Sequence, residues 1–134
     1  VIDLTRSLVD YLRGDPILAT KLGAFRGYPS VFGVSPIPEP ATTPFIVTQS
    51  VADTTLDKKS GVMREIEQDI GIYDDEDGSV ADIESIAEYV REKMRGSFSV
   101  PDWTISTVHV SGPTISDVED LHGRTLSARI ILDR

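Results

Sequence analysis

The chain has 134 residues, 40% of them apolar, no cysteine, and 13 Lys+Arg against 22 Asp+Glu for a formal net charge of −9. This length fits one compact domain that buries about two thirds of its unfolded surface on folding. The absence of cysteine excludes disulfide frameworks, thiolate zinc sites, iron–sulfur clusters and cysteine nucleophiles. Residues 1–60 balance six basic groups with six acidic ones, so the whole −9 falls in 61–134, where 7 basic groups meet 16 acidic ones. Such a chain is repelled by phosphate backbones at long range, which argues against tight DNA or RNA binding. Solubility alone also accounts for the excess. No window approaches the roughly 20 apolar residues of a membrane span. Val1-Ile2-Asp3 lacks the basic and apolar regions of a signal peptide, and a soluble cytosolic chain is expected.

Along the chain, Leu4, Leu8, Tyr11 and Leu12 share one face of a helix that Asp3 can cap and Gly14 can end. Asp15-Pro16 restarts a short helix carrying Ile17, Leu18 and Leu22 to Gly23. A brief extended piece over 24–34 precedes Pro36, Pro38, Pro40 and Pro44, which force a stiff, helix-free connection. A strand from Pro44 to Val51 enters a polar turn region over 52–60. Its partner alternates from Val62 to Tyr73, with Val62, Ile66, Ile70 and Ile72 on one face and Glu65, Glu67 and Asp69 on the other. An antiparallel hairpin over 44–73 is the simplest pairing. Ser79 and Asp82 have capping-box spacing ahead of the stripe Ile83, Ile86, Ala87, Val90 and Met94, which ends at Gly96. Trp103 to Val110 alternates as a strand, Gly112-Pro113 predicts a bulge, and extension resumes toward Val118. A tight turn over Asp120 to Gly123 leads to a last strand from Arg124 to Leu132.

The chemistry of sites is sparse. Asp75, Asp77 and Glu84 fall on positions three, five and twelve of a calcium loop when Gly78 is the sixth, but Tyr73 fails at the first. The run from Asp74 to Asp77 therefore reads as a solvated turn. His122 beside Asp120 lacks a third partner for general-base work. Glu65, Glu67 and Asp69 project at period two, a geometry that can flank a cation or simply face water or a subunit. No phosphate-binding loop or dinucleotide fingerprint is present. Neither catalysis nor a metal or other cofactor is expected.

The succession of elements carries a resemblance. After the two opening helices come Phe25-Arg26-Gly27-Tyr28-Pro29, a proline-punctuated loop and Pro44-Phe45-Ile46-Val47. The alternating strand 64–73, the helix 83–94 and the strand 123–130 complete the order. This order is similar to that of the tail terminator, or tail completion, proteins of long-tailed bacteriophages, over nearly the full length. The resemblance implies an α+β fold and a homo-oligomeric ring, usually hexameric, that caps the tail tube, stops its polymerisation and joins the tail to the head connector. It further implies a virion location at the head–tail interface after assembly in the host cytoplasm. The expected fold is a mostly antiparallel sheet of about four to five strands, with an N-terminal helix and one long helix packed on it. The expected partners are further copies of the chain, the tail tube protein and a head-closure or connector protein. DNA passes through without tight binding, and no membrane is involved.

A ring needs heterologous contacts, in which one face of a subunit meets a different face of its neighbour. The turn region 53–60 and the hairpin 112–122 are suited to that reach, with Leu56, Lys58, Lys59, Leu121 and His122 as contact candidates. Glu65, Glu67, Asp69, Asp74, Asp75, Glu76 and Asp77 are candidates for an acidic face on the DNA channel. The alternatives are another head–tail connector component and a non-viral small acidic binding or regulatory domain.

Overall fold

A computed structural model describes residues 4–33, 42–58, 61–75, 77–96, 98–118 and 120–134. Helix α1 (Leu4–Arg13) and the short α2 (Pro16–Lys21) open the chain. Three two-residue strands follow: β1 (Ala24–Phe25), β2 (Tyr28–Pro29) and β3 (Val31–Phe32). The long hairpin strands β4 (Phe45–Lys58) and β5 (Gly61–Asp75) lead to helix α3 (Val80–Met94). Strands β6 (Thr104–Ile115) and β7 (Leu121–Asp133) complete the fold. Five strands form one mixed sheet in the order β3-β4-β5-β7-β6. Only the β3–β4 pair is parallel, and β1-β2 form a separate antiparallel ribbon. The α+β class expected above is the observed one. The proposed Asp3 cap and the prolines at 36, 38 and 40 lie outside the described residues.

Alternation decides which face of the sheet is covered. Ile66, Gln68, Ile70 and Ile72 of β5 stand opposite Ile130, Ala128, Leu126 and Arg124 of β7, and all eight are buried. The apolar members of that face join Leu4, Leu8 and Leu12 of α1 and Ile83, Ile86, Ala87, Val90 and Met94 of α3 in a single core cluster. All five residues of the predicted α3 stripe are therefore buried. The Ser79 hydroxyl caps the helix by accepting from the Asp82 amide at 3.4 Å. Gln68 is buried on this face without cost to pairing, because its amide donates to the hydroxyls of Thr48 at 2.8 Å and Thr5 at 3.1 Å.

Polar clamps fix the helices to one another and to the sheet. Arg13 donates from Nε and Nη2 to the Val31 carbonyl at 3.0 and 2.7 Å, tying α1 to β3. Asp15 caps α2 by accepting from the Ile17 and Leu18 amides, and it also accepts the Tyr89 hydroxyl at 2.8 Å. The Lys93 ammonium lies 3.2 Å from the same carboxylate. Burial pushes the Asp15 carboxyl up, but the hydrogen bonds from Tyr89, Ile17, Lys93 and Leu18 outweigh it and hold the group below the ordinary carboxylate value. The bond to Asp15 holds both the Tyr89 hydroxyl and the Lys93 ammonium above their usual values. Buried Arg124 donates to Glu84 of α3 at 2.5 Å and to Asp117 at 3.3 Å, fixing the β6–β7 connection against the helix.

Three expected boundaries move. The first strand of the hairpin does not stop at Val51: β4 stays paired with β5 as far as Lys58 opposite Gly61, past a bulge between Ser50 and Ala52. Its outer half is wet on both faces, so it shows no hydrophobic alternation by which a strand is recognised. The region expected as the turn 53–60 is thus strand through Lys58. The last strand begins earlier than Arg124, because Leu121, His122 and Gly123 already pair with Asp75, Asp74 and Tyr73. The chain reverses before Leu121, where Val118 and Leu121 exchange backbone hydrogen bonds of 3.1 and 2.9 Å. The predicted bulge is present as a register shift between Ser111 and Thr114, while β6 ends at Ile115 rather than Val118.

Candidate assembly surface

The odd-numbered residues of β5 build the face of the sheet opposite the helices. Glu65, Glu67 and Asp69 stand there at period two, as their spacing predicts, with Glu67 exposed and the other two half-buried. Cross-strand register adds neighbours that spacing within one strand cannot reveal. One row runs Ala52, Glu67, Arg129 and His109 across β4, β5, β7 and β6, and the next runs Thr54, Glu65, Ile131 and Thr107. Glu65 pairs with Arg129, which offsets part of the negative charge. Farther along, Tyr73 covers the positions where Gly71 and Gly123 lack side chains, and its ring packs 5.7 Å from that of Phe45.

Of the other acidic residues, Asp74 alternates to the helix side and lies beside α3 residues, while Asp75 falls on the open face at its far end. Asp74 and Asp75 end β5, roughly 30 Å along the strand from Glu65 at about 3.4 Å per residue. There the Asp74 carboxylate accepts the Asp75 amide at 2.8 Å, and Thr43 donates to Asp75 at 2.9 Å. Asp74 also lines a shallow hollow with Lys21, Asp82 and Ser85, and Asp77 is exposed in the turn before α3. Among the described residues no three His, Asp or Glu side chains group as a metal site. Glu76, Lys59 and the Lys58 side chain lie outside the described residues.

The contact candidates divide in the same way. Leu56 is 42% exposed, on strand rather than on a turn. Leu121 and His122 are half-buried at the start of β7, paired into the sheet. Larger apolar exposure appears at Ile115, Val118 and Val51. Among the described residues, none of the helices is long and apolar enough to cross a membrane.

Among the described residues the sheet has two open edges. β3 covers β4 only at Ile46 and Val47, so among the described residues nothing pairs with the outer side of β4 from Thr48 onward. Residues 49–56 of that strand are all exposed. At the other edge, among the described residues, β6 pairs only with β7. Its stretch Thr104–Ser111 carries no Asp, Glu, Lys, Arg or Pro, the residues that usually blunt an edge. A groove of about 360 Å³ runs beside β6 at the end of α3, lined by Phe98, Ile105, Val108, Thr107 and Arg95.

One long antiparallel hairpin sheet, covered on one face by helices and, among the described residues, open on the other and at both edges, defines the class as a small α+β domain. The same fold occurs in a chain of the structure titled "Virion of native gene transfer agent (GTA) particle", with a TM-score of 0.75 and 18% sequence identity, over 98% of this chain and 95% of that one. No protein-family model matches the sequence, and no curated protein resembles it significantly.

Proposed function

We propose that this protein is a structural component of a phage-like virion and that it acts as a tail terminator. In this reading six copies close into a ring that caps the tail tube, ends its growth and joins it to the head connector. The observation that carries the reading is the shared fold with a virion chain over nearly the whole of both proteins. The element order that resembles tail terminators gives it independent support. The protein then works by shape and contact, with no catalytic step, and is found in the virion at the head–tail interface. With the helical side outward, Glu65, Glu67 and Asp69 face the lumen and lower the attraction of passing DNA.

Electron microscopy of the purified protein, alone and mixed with tail tubes, tests this. Rings with a central hole that seat on tube ends are the expected result. Tubes that stay bare and continue to lengthen at saturating protein would refute the terminator role, and rings bound only to head connectors would reassign the protein to head closure.

A further inference from the structure

We infer that neighbouring copies join edge to edge, the free side of β6 in one copy adding as an antiparallel strand to the free side of β4 in the next. This deepens the ring reading and rests on it.

Three observations carry the inference. The first is polarity. Each of the pairs β4–β5, β5–β7 and β7–β6 is antiparallel, so β4 and β6 run in opposite directions. A second copy brought alongside by rotation, with its helices on the same side, therefore presents its β4 antiparallel to β6. That is the more stable ladder, and the contact is heterologous, as a closed ring requires.

The second is level. The row Thr54, Glu65, Ile131, Thr107 shows that the open stretch of β4 and the uncharged stretch of β6 lie at the same height in the sheet. The ladder can thus continue from copy to copy without displacing β3, which occupies β4 only at Ile46 and Val47.

The third is chemistry. Thr104–Ser111 lacks the charges and prolines that keep edges apart. The groove beside it, with Phe98, Ile105 and Val108, leaves apolar surface open next to the strand. Val51, exposed at the bulge of β4, is an apolar group on the facing edge, while Leu56 stands opposite Met63 on the other face of the sheet.

The absence of native cysteine makes the test clean. Thr54→Cys and Thr107→Cys mark the two edges. Within one copy these positions are separated by three inter-strand spacings, roughly 14 Å, too far for a disulfide, which needs Cα atoms within about 7 Å. The variants are treated with a short bismaleimide whose span is less than this separation within one copy, after circular dichroism has shown them folded like the parent. An equal mixture of the single variants is expected to give dimers containing one of each. The double variant is expected to give a ladder that stops at the ring size, and each single variant alone to give monomer. Dimers from either single variant would mean a two-fold contact and overturn the inference. Rings visible by microscopy without these cross-links would also overturn it, while leaving the ring reading intact. Neither rings nor cross-links, even with tail tubes present, would remove the ring reading and the inference together.

Discussion

Asp15 is the residue at which the helical layer is most dependent on one side chain. Its carboxylate, 1% exposed, caps α2, accepts the Tyr89 hydroxyl of α3 and neutralises Lys93 one turn farther along. Asp15→Ala removes an N-cap, worth about 1 kcal/mol, and a charge-assisted bond to Tyr89, worth about 2 kcal/mol. Lys93 is one-third exposed and regains water, so loss of the ion pair adds little. The expected loss is about 3 kcal/mol, a fall in Tm of roughly 10 °C for a chain of this length. Asp15→Asn keeps an acceptor for the cap and for Tyr89, so about 1 kcal/mol is expected. The folded carboxyl titrates below its ordinary value of 3.8. Its contribution is therefore complete above that pH and lost as pH falls through the lowered folded pKa. The difference between parent and Asp15→Asn must then shrink on acidification. Urea unfolding followed by circular dichroism across this range measures both effects. A loss below about 1 kcal/mol for Asp15→Ala, or a difference from Asp15→Asn that grows toward low pH, refutes the reasoning.

Three further outcomes are expected. Ile70→Ala opens a cavity at a fully buried position where β5 meets β7 and costs about 2–5 kcal/mol, seen as a lower urea midpoint at unchanged slope. Gly112→Ala is destabilising by about 1–3 kcal/mol in the same assay. Gly112 has φ +99°, and an added Cβ would lie 2.8 Å from the Thr125 carbonyl. Replacing Glu65 and Glu67 by Gln and Asp69 by Asn leaves stability within about 1 kcal/mol but raises the affinity of assembled rings for duplex DNA at low salt. Fluorescence anisotropy across a salt series reads that change, and unaltered binding removes these carboxylates from any channel role.

How much of this was legible in the sequence depends on how local each signal is. Helix α3 was readable in full because its cap, Ser79, and its stripe from Ile83 to Met94 lie within one stretch and obey one period. The face of Glu65, Glu67 and Asp69 was readable for the same reason, since alternation in a strand needs no knowledge of its neighbours. Arg129 and His109, which complete a row with Glu67, were not, because cross-strand register is set by pairing between distant segments. The Asp15 clamp shows the same limit. Its role as the α2 cap could be read from Asp15-Pro16, but Tyr89 lies 74 positions away and only the packing of α3 brings it near. The outer half of β4 was missed for a different reason: a strand wet on both faces carries no periodicity, and its threonines fit a turn as well as a ladder.

The acidic half of the chain separates into two groups. Asp69 and Asp74, their nearest members, are roughly 17 Å apart along β5, about two Debye lengths of about 8 Å at physiological salt, so the two clusters couple only weakly. The end of β5 places Asp74 beside Lys21 and Asp82 at the α3 entrance, where charge serves the turn and the helix start. An electrostatic role in a channel, if the ring closes with helices outward, falls to Glu65, Glu67 and Asp69, with Asp75 at the end of the same face. Even there Arg129 offsets Glu65. Such a face repels phosphate weakly. In the proposed ring that suits passage better than a strongly charged wall would, because DNA would then be neither held nor excluded.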